Sequence, residues 1–371
     1  MTQKLQPLQQ SLTAVGRPSY ILETSDGTRL LVLGFGARIL GLFAPGLDEN
    51  FYWTNPAFNE PASAKNLFNG NDRGDWPNTG GDRTWIAPEL DFYYPDYPDL
   101  GRWVVPAAMD SVEHEVIQPQ ADRIALRRTM SLKSGSQNCH VEFEMSKWIE
   151  PAANPLRLVD RQWAVKFAGL KYAGYTQRTQ LSQIGPATQL APNSPIGGRP
   201  IEAGIWNLIQ LPHGGEMIIP TYQRVEPKIY FGEIPGGRLV AEDRAVRFKM
   251  DFEGQQKIGL QAASLTGRAA YFRQHDGNHS SLVIRNFFVD PSGDYIDTPV
   301  EDTNDRGYAF QACNICNSLG QFSELEYHAP AFGHSRSDTD KTSTEVSQVW
   351  AYFGPAEAIQ TVSRYLLGVG L

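Results

Sequence analysis

The sequence has few cysteines, no long apolar run and no recognisable leader. Three cysteines among 371 residues are an odd number that cannot complete a disulfide framework, which favours a reducing compartment. No apolar stretch approaches the length that crosses a bilayer, and the first twenty or so residues lack the apolar central segment of a secretory signal. We therefore expect a cytoplasmic protein that has no membrane partner.

Positive charge is also scarce. The chain carries 33 Lys and Arg against 41 Asp and Glu, a formal net charge of -8. Charge of this sign repels a phosphate backbone, which argues against nucleic acid as a partner. The motifs of serine nucleophile elbows, phosphate loops and H-E-x-x-H zinc sites are absent, and "GFGARILG" has the wrong glycine spacing for a dinucleotide fingerprint. We expect no cofactor.

Two features invite a metal interpretation. Cys313 and Cys316 form a C-x-x-C, but a zinc site needs two further ligands, for which only Cys139 with His140 is available. We interpret the pair as ordinary buried thiols, with a metal or redox site as the alternative. The second feature is a group of three acidic residues, Asp72, Asp75 and Asp82. They lack the spacing of an EF-hand loop, which favours a surface loop over a calcium site.

Alternation of apolar and polar residues dominates the chain. In "AVRFKMDF", residues 245–252, the apolar side chains Val246, Phe248 and Met250 share one face, as in half-buried strands of antiparallel sheets. The same interpretation applies to "RLLVLGFGARILGLF", "RIALRRTMSL", "HVEFEMSKW", "VDRQWAVKF", "EMIIPT", "KIYFGEI", "SLVIRNFFV" and "EVSQVWAYFG".

One helix is predicted, in "GPAEAIQTVSRYLLGVG" near the end of the chain. Pro355 suits a first turn, and Ile359, Val362 and Leu366 share a face. No strand–helix–strand rhythm occurs, so a doubly wound parallel sheet is not expected. The pattern predicts an all-β fold, a large antiparallel sandwich with a short C-terminal helix, as a single domain over residues 1–371. Two stacked β domains are the alternative.

The segment "QFSELEYHAPAF", residues 321–332, concentrates titratable groups. If residues 322–328 form a strand, Phe322, Glu324, Glu326 and His328 share one face. Neighbouring carboxylates raise the pKa of at least one of them, as a general base near neutrality requires, and histidine is the natural acid partner. A solvated strand face paired with arginines is the alternative.

The segment "TGGDRTWIAPE" combines glycines, an arginine and a tryptophan. Arg83 and Trp85 share a face if it is extended, so a guanidinium fork could bind oxygens while the indole covers the C–H face of a sugar ring. Gly80 and Gly81 would permit close backbone approach. The alternative is an Arg83–carboxylate ion pair with Trp85 in the core.

Six segments, taken in order, resemble the galactose mutarotase superfamily (aldose 1-epimerase and its relatives). They are "GFGARILGLF", "NFYWTNP", "TGGDRTWIAPE", "GIWNLIQLPHGGEMIIP", "SELEYHAPAF" and "SQVWAYFG". Together they span nearly the whole chain, which resembles an uncharacterised branch of that superfamily.

The resemblance implies a β-supersandwich with a pocket for a monosaccharide or oligosaccharide. Glu326, with Glu324 as second choice, would be the general base that opens and recloses the sugar ring. Arg83 would bind a hydroxyl group, and the other substrate-binding candidates of the same segment are Gly81, Asp82, Trp85 and Glu89.

One departure bears on the acid. The family carries an Asn-His pair in mid-chain, whereas "TQLSQIGPATQLAPN" has no histidine. His213, at a predicted strand end, or His328 would have to substitute for the missing histidine as the acid.

The resemblance as a whole implies an aldose 1-epimerase-like isomerase of carbohydrate metabolism. Two alternatives are a non-catalytic carbohydrate-binding protein, and a glycoside hydrolase or polysaccharide lyase on the same scaffold. The sequence does not indicate the sugar or the oligomeric state.

Overall fold

The computed structural model describes residues 3–69, 76–190, 200–333 and 341–371. Among these residues the six helices are α1 (Leu5–Ala14), α2 (Pro61–Asn69), α3 (Glu89–Phe92), α4 (Ala107–Asp110), α5 (Arg161–Lys166) and α6 (Ala356–Leu367), with short 3-10 helices at Pro56–Asn59, Pro155–Leu158 and Ala262–Ser264. No described helix is long and apolar enough to span a bilayer.

Twenty strands carry the described fold. They are β1 (Ser19–Glu23), β2 (Arg29–Leu33), β3 (Arg38–Phe43), β4 (Asp82–Ala87), β5 (Glu115–Pro119), β6 (Ile124–Ser134), β7 (Cys139–Pro151), β8 (Lys171–Gln183), β9 (Thr188–Gln189), β10 (Gly204–Pro212), β11 (Gly215–Pro220), β12 (Lys228–Phe231), β13 (Leu239–Ala241), β14 (Ala245–Met250), β15 (Gly254–Gln261), β16 (Arg268–Gln274), β17 (His279–Phe287), β18 (Tyr308–Asn317), β19 (Gly320–His328) and β20 (Thr342–Pro355).

The strands form two antiparallel sheets. The first has nine strands in the order β1-β2-β3-β4-β10-β19-β18-β15-β12. The second has the order β13-β14-β11-β16-β17-β20-β8-β7-β6-β5, with β9 paired to β7. The all-β prediction, two large sheets with a short C-terminal helix, is confirmed.

Apolar side chains from both sheets meet in one core. Ile209 and Leu325 come from the first sheet, and Met217, Phe248 and Val349 come from the second. Each belongs to a strand in which alternate residues face this core, as the period of two predicts. The extent of a single domain over residues 1–371 stays a prediction.

Helices cover parts of the outer faces of the sheets. α6 buries Ile359, Val362 and Leu366 against the second sheet, as its sequence predicts. α1 and α2 cover the β2–β3 end of the first sheet. The remainder of that outer face, from β4 to β12, carries the cleft described below.

One strand prediction is wrong. The segment "VDRQWAVKF" contains α5 and not a strand. The side chain of Asp160 accepts hydrogen bonds from the backbone N–H groups of Gln162 and Trp163, which caps a short helix. The prediction of a strand and turn in "GFGARILG" is confirmed by β2 and β3.

Candidate functional site

A cleft of about 420 Å³ opens on the outer face of the nine-stranded sheet. Six neighbouring strands, β4, β10, β19, β18, β15 and β12, each contribute at least one side chain to it. Its lining is Trp76, Arg83, Trp85, Glu89, Tyr94, Trp103, Trp206, Leu208, Phe231, Gln255, Lys257, Cys313, Ile315, Leu319, Phe322, Glu324 and Glu326. The cleft therefore has aromatic walls around a charged floor.

Strand β19 supplies two carboxylates to the floor. Phe322, Glu324 and Glu326 line the cleft, whereas Leu325 and Tyr327 belong to the core between the sheets. The alternation expected for residues 322–328 is what the structure shows. The alternative of a solvated strand face does not hold, because both glutamates are buried.

Glu326 has one occupied and one free carboxyl oxygen. The indole Nε1 of Trp206 donates to Oε2 at 3.0 Å, and Nζ of Lys257 lies 3.2 Å from the same oxygen. Oε1 is buried and has no hydrogen-bond partner among the described residues. Burial raises the pKa of Glu326 to about 7, with the charges of Glu324 and Glu89 adding to the effect and Lys257 opposing it. The group can therefore exchange a proton near neutral pH.

Glu324 is held by an ion pair. Nη2 of Arg83 donates to Oε1 at 2.7 Å and Nε2 of Gln210 donates to the same oxygen at 2.9 Å. The guanidinium lies 4.2 Å from the ring centre of Trp85 and 4.7 Å from that of Trp76, so it is fixed by stacking. Its Nε and Nη1 have no hydrogen-bond partner in the part of the chain that the structure describes. Both interpretations of this segment thus apply: the arginine forms the ion pair and still presents donors.

Lys257, which the sequence did not single out, neutralises Glu326. Burial alone would lower the pKa of its ammonium group, but the charges of Glu326, Glu89 and Asp297 raise it above the ordinary value. The ammonium also lies 4.7 Å from the ring centre of Trp206. In "GQQKIGLQ" the lysine has the pattern of an exposed position, and only the pairing of β15 with β18 brings it beside β19.

Glu89 reaches the cleft from α3. The indole Nε1 of Trp103 donates to its Oε1 at 2.6 Å, and its backbone N–H donates to Oδ1 of Asp297 at 2.8 Å. Burial raises the pKa of Glu89, with the charge of Asp297 adding to the effect and Lys257 opposing it. A third carboxyl group thus lines the same cleft.

Neither candidate histidine lines the cleft. His328 is buried behind Trp206, with the two rings stacked at a centroid distance of 5.5 Å, and burial lowers its pKa to about 4. It is therefore neutral at pH 7. His213 lines a separate cavity of about 450 Å³ with Trp53 and Gln321, where its Nε2 lies 3.3 Å from the carbonyl oxygen of Phe252. An acid role for either residue is not supported by these positions.

Asp82 and Gly81 also lie away from the cleft. Asp82 alternates with Arg83 along β4 and so points between the sheets, where Nη1 of Arg285 and the hydroxyl of Tyr175 each donate to Oδ2 at 2.5 Å. Gly81 has φ +80°, and a Cβ there would lie 2.3 Å from the carbonyl oxygen of Ile39. The glycine is explained by backbone packing rather than by a ligand.

The metal interpretations gain little. Cys313, Glu324 and Glu326 each place a ligand atom within 4.8 Å of the others, but Arg83 and Lys257 already neutralise the two carboxylates. Cys316 lies three residues from Cys313 on β18 and so faces the other way. Of the acidic group, Asp72 and Asp75 lie outside the described residues.

A model of the family of unknown function DUF6786 matches residues 48–371. The chain belongs to this family. No curated protein matches it significantly.

Solved structures similar to this DUF6786 chain bear names from the superfamily that the sequence motifs resemble. One, from Escherichia coli K12, has a provisional assignment as an aldose 1-epimerase: 11% identity, 91% of this chain and 99% of that chain covered, TM-score 0.47. A galactose 1-epimerase from Lactobacillus acidophilus NCFM is 10% identical, with 91% of this chain and 95% of that chain covered and a TM-score of 0.41. A galactose mutarotase related enzyme from Lactobacillus acidophilus is 9% identical, with 91% of this chain and 97% of that chain covered and a TM-score of 0.40. At this distance neither activity nor substrate follows, so both are inferred from the cleft.

Proposed function

We propose that this protein binds a neutral sugar in the cleft and interconverts its anomers, with Glu326 as the general base. The observation that carries the proposal is the free, buried Oε1 of Glu326 at the floor of an aromatic cleft. A carboxyl group whose pKa lies at about 7 is suited to accept and return a proton at neutral pH.

The unpaired polar atoms of the cleft favour a ligand with hydroxyl groups. Considering the described residues alone, Nε and Nη1 of Arg83 and Nε1 of Trp85 are donors without an acceptor, whereas Oε1 of Glu326 is an acceptor without a donor. Buried polar groups require partners, and a hydroxyl group both donates and accepts. The half-buried ring of Tyr94 and the exposed ring of Trp103 offer flat apolar surfaces to the C–H face of a pyranose.

Charge favours a neutral sugar over a sugar phosphate. Arg83 pairs with Glu324 and Lys257 pairs with Glu326, so neither cation of the cleft is free for an anion. Glu89 adds a third carboxyl group. The volume of about 420 Å³ falls within the roughly 300–1,000 Å³ of small-molecule sites.

Glu326 would act on the anomeric hydroxyl group. Its Oε1 accepts the O1 proton, a C1–O1 double bond forms and the bond from C1 to the ring oxygen breaks. Rotation about the bond from C1 to C2 and reclosure on the other face, with return of the proton, gives the second anomer. The ring oxygen needs a proton when its bond breaks, so a second acid must act together with Glu326.

Anomer exchange in freshly dissolved aldoses tests the proposal. We expect the protein to accelerate exchange, followed by NMR, for at least one sugar of a broad panel. Glu326→Gln should lower kcat on the order of 10²–10⁴-fold, while Glu115→Gln, on the exposed β5, should match the wild type. Failure across the panel, or acceleration that Glu326→Gln leaves unchanged, contradicts it.

A non-catalytic sugar-binding protein is the second candidate, because none of the described histidines lines the cleft. This candidate predicts that a sugar raises the Tm while anomer exchange stays at the rate in buffer. The same panel of sugars, read by thermal melting and by NMR, separates the two functions.

A further inference from the structure

The third carboxyl group of the cleft has a setting different from the other two. Glu324 is paired with Arg83, and Glu326 with Lys257. For Glu89 the described residues provide a neutral donor to the side chain, the indole of Trp103, and no ion pair. We propose that Glu89 is the second catalytic residue, the proton donor to the ring oxygen, acting with Glu326 as the base. This inference rests on the proposed function and names its missing acid.

The two carboxyl groups reach the cleft from different elements. Glu326 lies on the floor, on β19, and Glu89 extends from α3 in the wall. An indole N–H holds each of them, Trp206 at 3.0 Å from Glu326 and Trp103 at 2.6 Å from Glu89. Two carboxyl groups from separate elements can address a bound ring from two sides, as acid and base on one sugar require.

Trp103 is 40% exposed, and its ring is held on one side by packing. Its ring stacks on Tyr93 with centroids 5.8 Å apart and an interplanar angle of 16°, and Tyr93 is fully buried in the core beside the cleft. The hydrogen bond to Oε1 therefore orients the carboxyl group of Glu89, and it leaves the remaining oxygen without a side-chain bond from the described residues.

The charges of the described side chains that line the cleft sum to zero when Glu89 carries a proton, and Asp297 next to the cleft adds a further negative charge. The pairs Arg83–Glu324 and Lys257–Glu326 are each neutral, so an ionised Glu89 would leave one uncompensated negative charge in a partly dry site. The groups that act on it are Lys257 from β15, Asp297 before β18, Glu324 from β19 and the Trp103 indole. Burial, Asp297 and Glu324 raise its pKa, Lys257 and Trp103 lower it, and the net pKa is raised.

The resulting proton transfers balance. Glu326 takes the proton from the O1 hydroxyl, the C1–O1 double bond forms, and the electron pair of the breaking ring bond goes to the ring oxygen. That oxygen takes the proton from Glu89. After rotation, the Glu89 carboxylate removes the same proton as the ring oxygen attacks C1, and Glu326 returns its proton to O1. No oxidant, reductant or further reactant is needed.

Kinetics of Glu89→Gln test the inference with the sugar that the wild type converts fastest. We expect kcat to fall on the order of 10²–10⁴-fold with little change in KM, and the sugar-induced rise in Tm to persist. The alkaline decline of kcat, which reports loss of the proton from the acid, should disappear. Trp103→Phe should shift that decline to higher pH, because the carboxylate loses a donor.

The outcomes are distinguishable. If the wild type accelerates no sugar, the proposed function and this inference both fail. If the wild type is active and Glu89→Gln keeps its kcat, or raises KM alone, Glu89 is a binding residue and the inference fails while Glu326 stands as base. Circular dichroism of Glu89→Gln, with Glu115→Gln as the matched surface variant, separates loss of chemistry from loss of fold.

Discussion

Two neighbouring residues of β4, Asp82 and Arg83, belong to buried charge clusters on opposite faces of one sheet. Asp82 joins Arg285 and Tyr175 between the sheets, and there Tyr327 also donates to Glu345 at 2.6 Å. That interior cluster is closed: Asp82 and Arg285 have no exposed surface.

The cleft cluster has similar residue types in a different setting. Arg83, Glu324, Glu326 and Lys257 line a cleft of about 420 Å³. The comparison teaches that buried charge by itself does not identify a site, because Asp82 and Arg285 of the interior cluster have no surface that a ligand could contact. Alternation along one strand decides which of two adjacent charged residues points into the interior and which lines the cleft.

Matched arginine substitutions should separate the two clusters most strongly. Arg285→Met leaves the carboxylate of Asp82 buried without its cation, and we expect a loss of about 3–5 kcal/mol in the free energy of unfolding. Arg83→Met should lower the free energy of unfolding by about 1–2 kcal/mol, because Gln210 still donates to Glu324 and water can enter the cleft. The same substitution should abolish sugar binding. Urea denaturation measures both; equal costs would remove the distinction between the clusters.

A smaller effect should appear in the pH dependence of stability. The folded pKa of Glu326, about 7, is above its unfolded value of about 4.3. The unfolded chain therefore loses this proton first, and stability is lost as pH rises from about 4.3 to about 7. Relative to Glu326→Gln, the wild type should lose about 1–3 kcal/mol across that window. A constant difference between the two proteins from pH 4 to pH 8 would show that this pKa is not raised.

The smallest effect is expected at Trp206. Trp206→Phe keeps a ring beside His328 and Lys257 but removes the indole donor to Glu326, so the pKa of the carboxyl group should rise. The acid limb of kcat should move to higher pH by up to about one unit, the equivalent of one hydrogen bond. Trp148→Phe, outside the cleft, is the control. If the acid limb of kcat does not shift in Trp206→Phe, this hydrogen bond does not affect the pKa of the catalytic carboxyl group.

The strands of the fold were largely predictable because their apolar residues alternate. The β19 face with Glu324 and Glu326 followed from period two alone, as did Arg83 and Trp85 on one face of β4. The strand predicted at residues 159–167 failed because the Asp160 cap was overlooked. Helix α1 was missed although Leu5, Leu8 and Leu12 are spaced to share a helical face and are buried together.

The rest of the site depends on contacts between distant residues. Lys257 and Trp206 meet Glu326 only through the order β10-β19-β18-β15, which no local pattern encodes. His328 was placed on the correct face of β19, but Trp206 covers it and separates it from the cleft. Asp82 is a predicted ligand-binding residue of the same segment as Arg83, but adjacent strand residues face opposite sides and Asp82 points between the sheets.

The pH profile of kcat/KM for anomer exchange tests the central claim most directly, since it reports the pKa of the essential base in the free enzyme. For the wild type, kcat/KM should rise with pH to a midpoint near 7, the pKa of Glu326, and Glu326→Gln should lose this rise together with most of its activity. A profile with the same midpoint in Glu326→Gln would contradict the assignment of Glu326 as the base.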